Sequence, residues 1–406
     1  MLRTSRLIPT AIAAIAVAAT GLLGLAVAPA GAAVAAAGTW HTVTIAADGD
    51  RVQQGFADLD AVACARPGSC LAGGENNDQR AVIATDTDGT WSRAREIAAP
   101  GGYEGAAEIT GVACVAAASC TAVGTYDDWN GPHHSFALTE IDGTWQAAQA
   151  VAAPVTHATA TVLLSVGCSS AGDCVATGYV KRGRALRPLA VSETGGVWQH
   201  SVVLRLPADA MAADPQAVLP SVSCVRSGRC VAVGQYTTRS GATVPVVVSA
   251  VRGHWKLRAL AGLTGRWLGS VSCQSARSCV ALGGYYSAAG TYRDVAVVEA
   301  DGRWDHEVTV PSGVLDGQTV YPILSSMSCA RSVCMTIGFT VGFRFGAVAE
   351  RFAHGRWSKV TQIAAARGGR FFAASAVYCR RPGACTAVGH HVSATDVLTL
   401  MAANRT

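Results

Sequence analysis

Ser221-Val222-Ser223-Cys224-Val225-Arg226-Ser227-Gly228-Arg229-Cys230-Val231-Ala232-Val233-Gly234 decides the fold. A short strand enters Cys224, a mostly polar turn follows, and Cys230 opens a second strand that runs into Gly234-Gln235-Tyr236. Outward from there, residues 237–241 form a polar loop and residues 244–251 a Val-rich third strand. Gly253-His254-Trp255 then marks a tight turn into a fourth strand over residues 256–260. Four short strands separated by turn residues are the unit of a β-propeller blade.

The chain writes this phrase seven times. The cysteine pairs are Cys64 with Cys70, Cys114 with Cys120, Cys168 with Cys174, Cys224 with Cys230, Cys273 with Cys279, Cys329 with Cys334, and Cys379 with Cys385, which uses all 14 cysteines. First cysteines recur every 49 to 56 residues, a period that belongs to blades or stacked units. Four residues beyond each second Cys stands a glycine: Gly74, Gly124, Gly178, Gly234, Gly283, Gly338 and Gly389. A glycine there serves either close approach of neighbouring sheets or a bulge. Six units carry Gly-x-Trp after the third strand, at Trp91, Trp145, Trp198, Trp255, Trp304 and Trp357. Asp-Gly in several of them tolerates positive φ in a tight turn, and the Trp supplies a large plate between blades.

The seventh unit stops near Thr406 without a Gly-x-Trp, while Gly38-Thr39-Trp40-His41-Thr42-Val43-Thr44-Ile45 at the other end lacks partners of its own. Joining the two closes a ring and leaves no open sheet edge. The expected architecture is all-β: a seven-bladed β-propeller of four-stranded blades, closed by the N-terminal strand, with residues 33–406 as a single domain. Residues 404–406 read as a polar tail beyond the last strand.

Residues 1–32 read as a signal peptide. Arg3 and Arg6 precede an uncharged run over residues 8–27, and Ala30, Gly31 and Ala32 offer small residues before a cut at Ala33. A cut after Ala37 is also readable, and a retained membrane anchor is the competing account, since the run approaches spanning length. Secretion permits disulfides, and an even number of cysteines in close pairs agrees. Each Cys is expected to pair with its near neighbour. Two thiols per unit are too few for seven zinc sites. The net charge of +5 falls to about +3 without the leader, too mild and dispersed for nucleic acid. No metal site and no cofactor is expected.

In such a blade the Cys-stapled turns and the Gly-x-Trp turns share one face. The opposite face carries the second-to-third-strand loops and the connections between blades, which vary as binding loops on a rigid scaffold do. Its candidate ligand-binding residues are Glu75, Tyr103, Glu104, Asp127, Asp128, Trp129, His133, Arg239, Trp267, Arg293, Asp316 and Arg344. Residues 126–134 are the densest group, with two acids, an aromatic plate and two imidazoles. Acids accept hydroxyl hydrogen bonds and an aromatic face covers the apolar side of a sugar ring. A packed polar hairpin explains the same residues without a ligand. A glycoside hydrolase needs two carboxyl groups about 5 to 9 Å apart, and the sequence does not choose a pair. No nucleophile elbow, phosphate-binding loop or zinc-protease helix occurs.

Thr85-Asp86-Thr87-Asp88-Gly89-Thr90-Trp91 and its counterparts at Trp145 and Trp304 resemble degenerate Asp-box turns, whose pattern is Ser-x-Asp-x-Gly-x-Thr-Trp. One residue between Gly and Trp is missing here. Over the mature length the chain resembles secreted bacterial seven-bladed propellers, loosely the sialidase-like group. In sialidases an arginine triad, a Tyr-Glu pair and an Asp carry the chemistry. No motif here aligns with them, so catalytic residues stay unassigned. The resemblance implies a secreted, extracellular carbohydrate-binding or glycan-active protein, with a glycoside hydrolase among the possibilities. The alternative is a noncatalytic extracellular protein-interaction scaffold. Expected partners are a glycan or cell-wall component or another extracellular protein, with no nucleic acid and no membrane anchor after signal cleavage.

Overall fold

A computed structural model describes residues 38–47, 57–103, 105–127, 131–226, 228–251, 253–341, 346–367, 369–393 and 397–405. The expected signal peptide therefore lies outside the described residues. Gly38–Thr406 form one compact unit.

Seven antiparallel sheets follow one another along the chain, one per cysteine pair. In blade 1 the order is Asp58–Arg66, Ser69–Glu75, Ala81–Thr87 and Thr90–Trp91. The first strand of every blade lines a shared cavity of about 350 Å³ on the axis, so first strands are innermost. Blade 7 is completed from the other terminus. Trp40–Ile45 pairs antiparallel with Leu398–Arg405, in register from Trp40 opposite Arg405 to Ile45 opposite Leu400. Residues 404 and 405 are thus part of the strand and no tail: Arg405 Nε donates to the Gly38 carbonyl at 3.0 Å, and Thr386 Oγ1 donates to Asn404 Oδ1 at 2.9 Å. The expected polar tail is corrected to strand at these two positions, because one polar side chain bonds within the blade 7 sheet and the other across the ring junction.

Each disulfide joins directly opposed residues of one hairpin, with Cα atoms 3.8 to 4.1 Å apart. Both residues of the Asp88-Gly89 turn have positive φ, 50° and 89°, as do those of Asp142-Gly143 and Asp301-Gly302. The tryptophans that follow pack at blade junctions: Trp91 against the blade 7–1 core, Trp145 against blades 1–2, Trp304 buried between blades 4 and 5. Trp40 does the same at the blade 6–7 core, which makes it the missing seventh Trp.

The recurring glycine serves the bulge. Every innermost strand shifts register around the residue four before its first Cys, as between Leu59 and Ala61 and between Leu163 and Ser165. The glycine lies against that irregularity. A Cβ on Gly74 would stand 1.9 Å from the Asp58 carbonyl oxygen, and the other six would meet equivalent carbonyls at 1.9 to 2.1 Å. The bulge leaves one residue unpaired; in blade 1 this is Asp60, which borders the axial cavity.

Candidate functional site

Five carboxylates, Asp58, Asp60, Glu75, Glu108 and Asp127, gather where blades 7, 1 and 2 meet. Asp58 opens the inner strand of blade 1 and pairs with Glu75, the last residue of the second strand. Asp60 follows on the bulge. Glu108 holds the same position in blade 2 as Asp58 in blade 1, six residues before the first Cys. Ser375 Oγ of blade 7 donates to Asp58 Oδ2 at 2.8 Å, and His390 Nδ1 lies 3.2 Å from Asp58 Oδ1. Thr125 Oγ1 donates to Glu108 Oε1 at 3.1 Å. Asp127 ends the second strand of blade 2, with its Oδ2 2.9 Å from His133 Nδ1.

Between blades 1 and 2 lies an open pocket of about 330 Å³, lined by Glu75, Gln79, Ala106, Ala107, Glu108, Thr125, Tyr126, Asp127 and His133. Tyr126 forms an aromatic wall. It packs edge-on to Tyr103 with centroids 5.1 Å apart, and its ring lies 5.3 Å from His134. Burial pushes the Glu75 carboxyl up to about 7, and Glu108 and Asp58 add to the shift. Burial also raises Glu108, against the Thr125 hydrogen bond and His133. Asp60 is held well above the carboxylate range by burial, then by Asp58, Glu108 and Glu75. A carboxyl group kept protonated near neutrality can donate a proton to an ether or hydroxyl oxygen.

The structure thus brings Glu75, Asp127 and His133 around one pocket, with Tyr103 behind its wall. Trp267 and Arg293 lie in a separate aromatic group on blades 5 and 6. Trp267 is 5.7 Å from Tyr286 and 5.5 Å from Tyr292, while the Arg293 guanidinium sits 4.5 Å over the Tyr321 ring. Arg239 is elsewhere: its Nη2 donates to the Ala208 carbonyl at 2.8 Å, tying a blade 4 loop to the connection before it. Asp316 sits in a turn with positive φ at the tip of the Gly313–Leu315 hairpin on blade 6. Glu104, Asp128, Trp129 and Arg344 lie outside the described residues. Sequence reasoning missed Asp58, Asp60 and Glu108 because it looked to loops, and these stand on inner strands. Aligning the repeats on their first Cys would have exposed them. Six residues before that Cys, blades 1 and 2 carry Asp58 and Glu108, where the others have Val162, Val218, Trp267, Ile323 and Ala373.

Among the described residues no group of three or more His, Cys, Asp or Glu is placed to hold a metal ion, and no helix is long and apolar enough to cross a membrane.

No family model matches the chain, and no curated protein matches its sequence. Solved structures do share its architecture. The BP39L lectin from Burkholderia pseudomallei is 14% identical with a TM-score of 0.50, over 86% of this chain and 96% of that one. A Trypanosoma rangeli sialidase is 12% identical with a TM-score of 0.48, over 79% of this chain. The match spans only 55% of the sialidase, about half its length. An α-L-arabinanase from Penicillium chrysogenum is 10% identical with a TM-score of 0.43, over 70% of this chain and 89% of that one. At these identities the likeness speaks to the fold alone.

Proposed function

We propose that this chain is a secreted carbohydrate-binding or glycan-active propeller, and that the pocket between blades 1 and 2 receives the sugar. The observation that carries this reading is Glu75. Its carboxyl, held at about 7, stands at an open pocket with Glu108 and Asp127 beside it and the Tyr126 ring as a wall. Acids satisfy sugar hydroxyls, an aromatic ring covers the apolar face, and a protonated acid can assist departure of a glycosidic oxygen. The lectin similar in fold is a precedent for sugar binding on such a scaffold. The leader-like residues 1–32 and seven disulfides support export.

The noncatalytic protein-interaction scaffold remains the second reading, favoured by the exposure of Val314 (65%) and Phe339 (41%). A glycan-binding screen together with a panel of chromogenic aryl glycosides separates the two. For a hydrolase, Glu75→Gln is expected to lower kcat roughly 10²- to 10⁴-fold, the contribution typical of a general acid, with unfolding temperature unchanged or raised. A wild-type protein that neither retains any glycan nor cleaves any glycoside overturns the carbohydrate reading.

A further inference from the structure

Three aromatic rings stand together on the variable face of blade 5: Trp267 from the inner strand, Tyr286 from the end of the second and Tyr292 from the start of the third. Their centroids are 5.5 to 5.7 Å apart. None of the three belongs to a buried core between blades; the cores flanking blade 5 are built from other residues, such as Leu268, Val295 and Leu324. Tyr286 is 67% exposed. The group is nonetheless fixed. Tyr292 Oη donates to Asp294 Oδ1 at 2.5 Å, and the other oxygen of Asp294 accepts the Leu324 N–H of blade 6 at 2.9 Å. Gly284 makes room for the ring, since a Cβ there would stand 2.6 Å from Tyr292 Oη. A rigid, solvent-facing aromatic surface loses little freedom when a ligand covers it.

Two arginines flank it in the chain, Arg266 before Trp267 and Arg293 after Tyr292. The Arg266 guanidinium is neutralised, with Nε and Nη2 donating to the two Glu307 oxygens at 3.0 and 3.3 Å. Arg293 lies over the Tyr321 ring, and no carboxylate among the described residues pairs with it. Aromatic faces accept the C–H face of a sugar ring, and a guanidinium takes a carboxylate or sulfate through paired hydrogen bonds. Arg293 attracts a sugar bearing such a group by charge. We infer that blades 5 and 6 carry a second docking site, for a sugar bearing an anionic group, on Trp267, Tyr286 and Tyr292 with Arg293 reading the charge. This rests on the carbohydrate reading above and adds to it an orientation: the charged sugar of a chain lies over blade 5.

The test is calorimetry at low ionic strength with trigalacturonate, a heparin-derived tetrasaccharide and neutral cellotetraose, with thermal unfolding of every variant. One of the anionic probes is expected to bind more tightly than cellotetraose, galacturonate if the site reads carboxylate and the heparin fragment if it reads sulfate. Tyr286→Ala should weaken that probe roughly 5- to 10-fold without changing the unfolding temperature. Arg293→Gln should cost about tenfold or more and abolish the preference over cellotetraose, and Arg293→Lys should retain part of it. If an anionic probe binds and both variants bind it like the wild type, the docking site is elsewhere and this inference falls alone. The same holds if only neutral glycans bind. If the broad glycan screen is also empty, the carbohydrate reading falls with it.

Discussion

Glycines that look alike in the sequence do two different jobs. Gly178 sits under the bulge of blade 3, and a methyl group there would press to 1.9 Å on the Val162 carbonyl. Gly269 occupies the bulge of blade 5, with nothing within 4 Å of its would-be Cβ. Gly178→Ala should therefore cost about 1–3 kcal/mol through overpacking against backbone. Gly269→Ala should fall within about 0.5 kcal/mol of wild type, as open surface substitutions do. Urea unfolding of both proteins checks this, and equal effects would contradict the steric account. The spacing of the glycine behind each second Cys was plain in the sequence. Which of its two physical reasons applied was not, because a bulge is a relation between strands. Asp60 was hidden for the same reason: it is the unpaired residue of the blade 1 bulge, at the wall of the axial cavity.

At the scale of strands, the innermost elements of adjacent blades are stitched by serine. Ser165, Ser221, Ser270 and Ser326 accept the backbone N–H of Val222, Val271, Met327 and Val377 of the next blade at 3.0 to 3.2 Å. Ser223, Ser272 and Ser328 form a second rung to the N–H of Cys273, Cys329 and Cys379 at 2.9 to 3.0 Å. Where blades 7, 1 and 2 carry the equivalent upper rung, the residues are Ala376, Ala61 and Gly111, which have no hydroxyl. Ser270→Ala leaves the Met327 N–H buried without an acceptor, so it should cost about 1–3 kcal/mol. Unfolding in urea gives the value, and a change below measurement error would show that the stitch contributes nothing. Blade boundaries were legible because turn chemistry and disulfides are local. The stitch was not, since its donors and acceptors lie about fifty residues apart.

The whole ring responds to pH through its buried acids. Glu75, Asp294 and Glu350 are all pushed up to about 7, mainly by burial. Asp86, Glu193 and Glu299, each no more than 9% exposed, are raised by burial as well. Folded pKa values above the unfolded ones mean that the folded state binds more protons. The stabilisation is complete below the unfolded value of about 4 and is lost as pH climbs towards 7. His391, lowered by burial and by His390, works in the opposite direction as pH rises towards 6.5. With Asp60, Glu108 and Glu140 raised in the same way, nine acids against one histidine predict a higher unfolding temperature at pH 5 than at pH 8, and scanning calorimetry showing the reverse order would refute it. Blade number and closure were readable from repeat period and strand count, while the acid pocket exists only once blades 1 and 2 are packed together. One property of the ring follows from the seven bridges. Each closes within a single hairpin, so oxidation carries no information about which blade adjoins which. A bridge can form as soon as its own hairpin reaches an oxidising compartment, with no wait for a distant partner thiol. Sealing the circle is then a separate and final event, a noncovalent clasp of the first strand to the last.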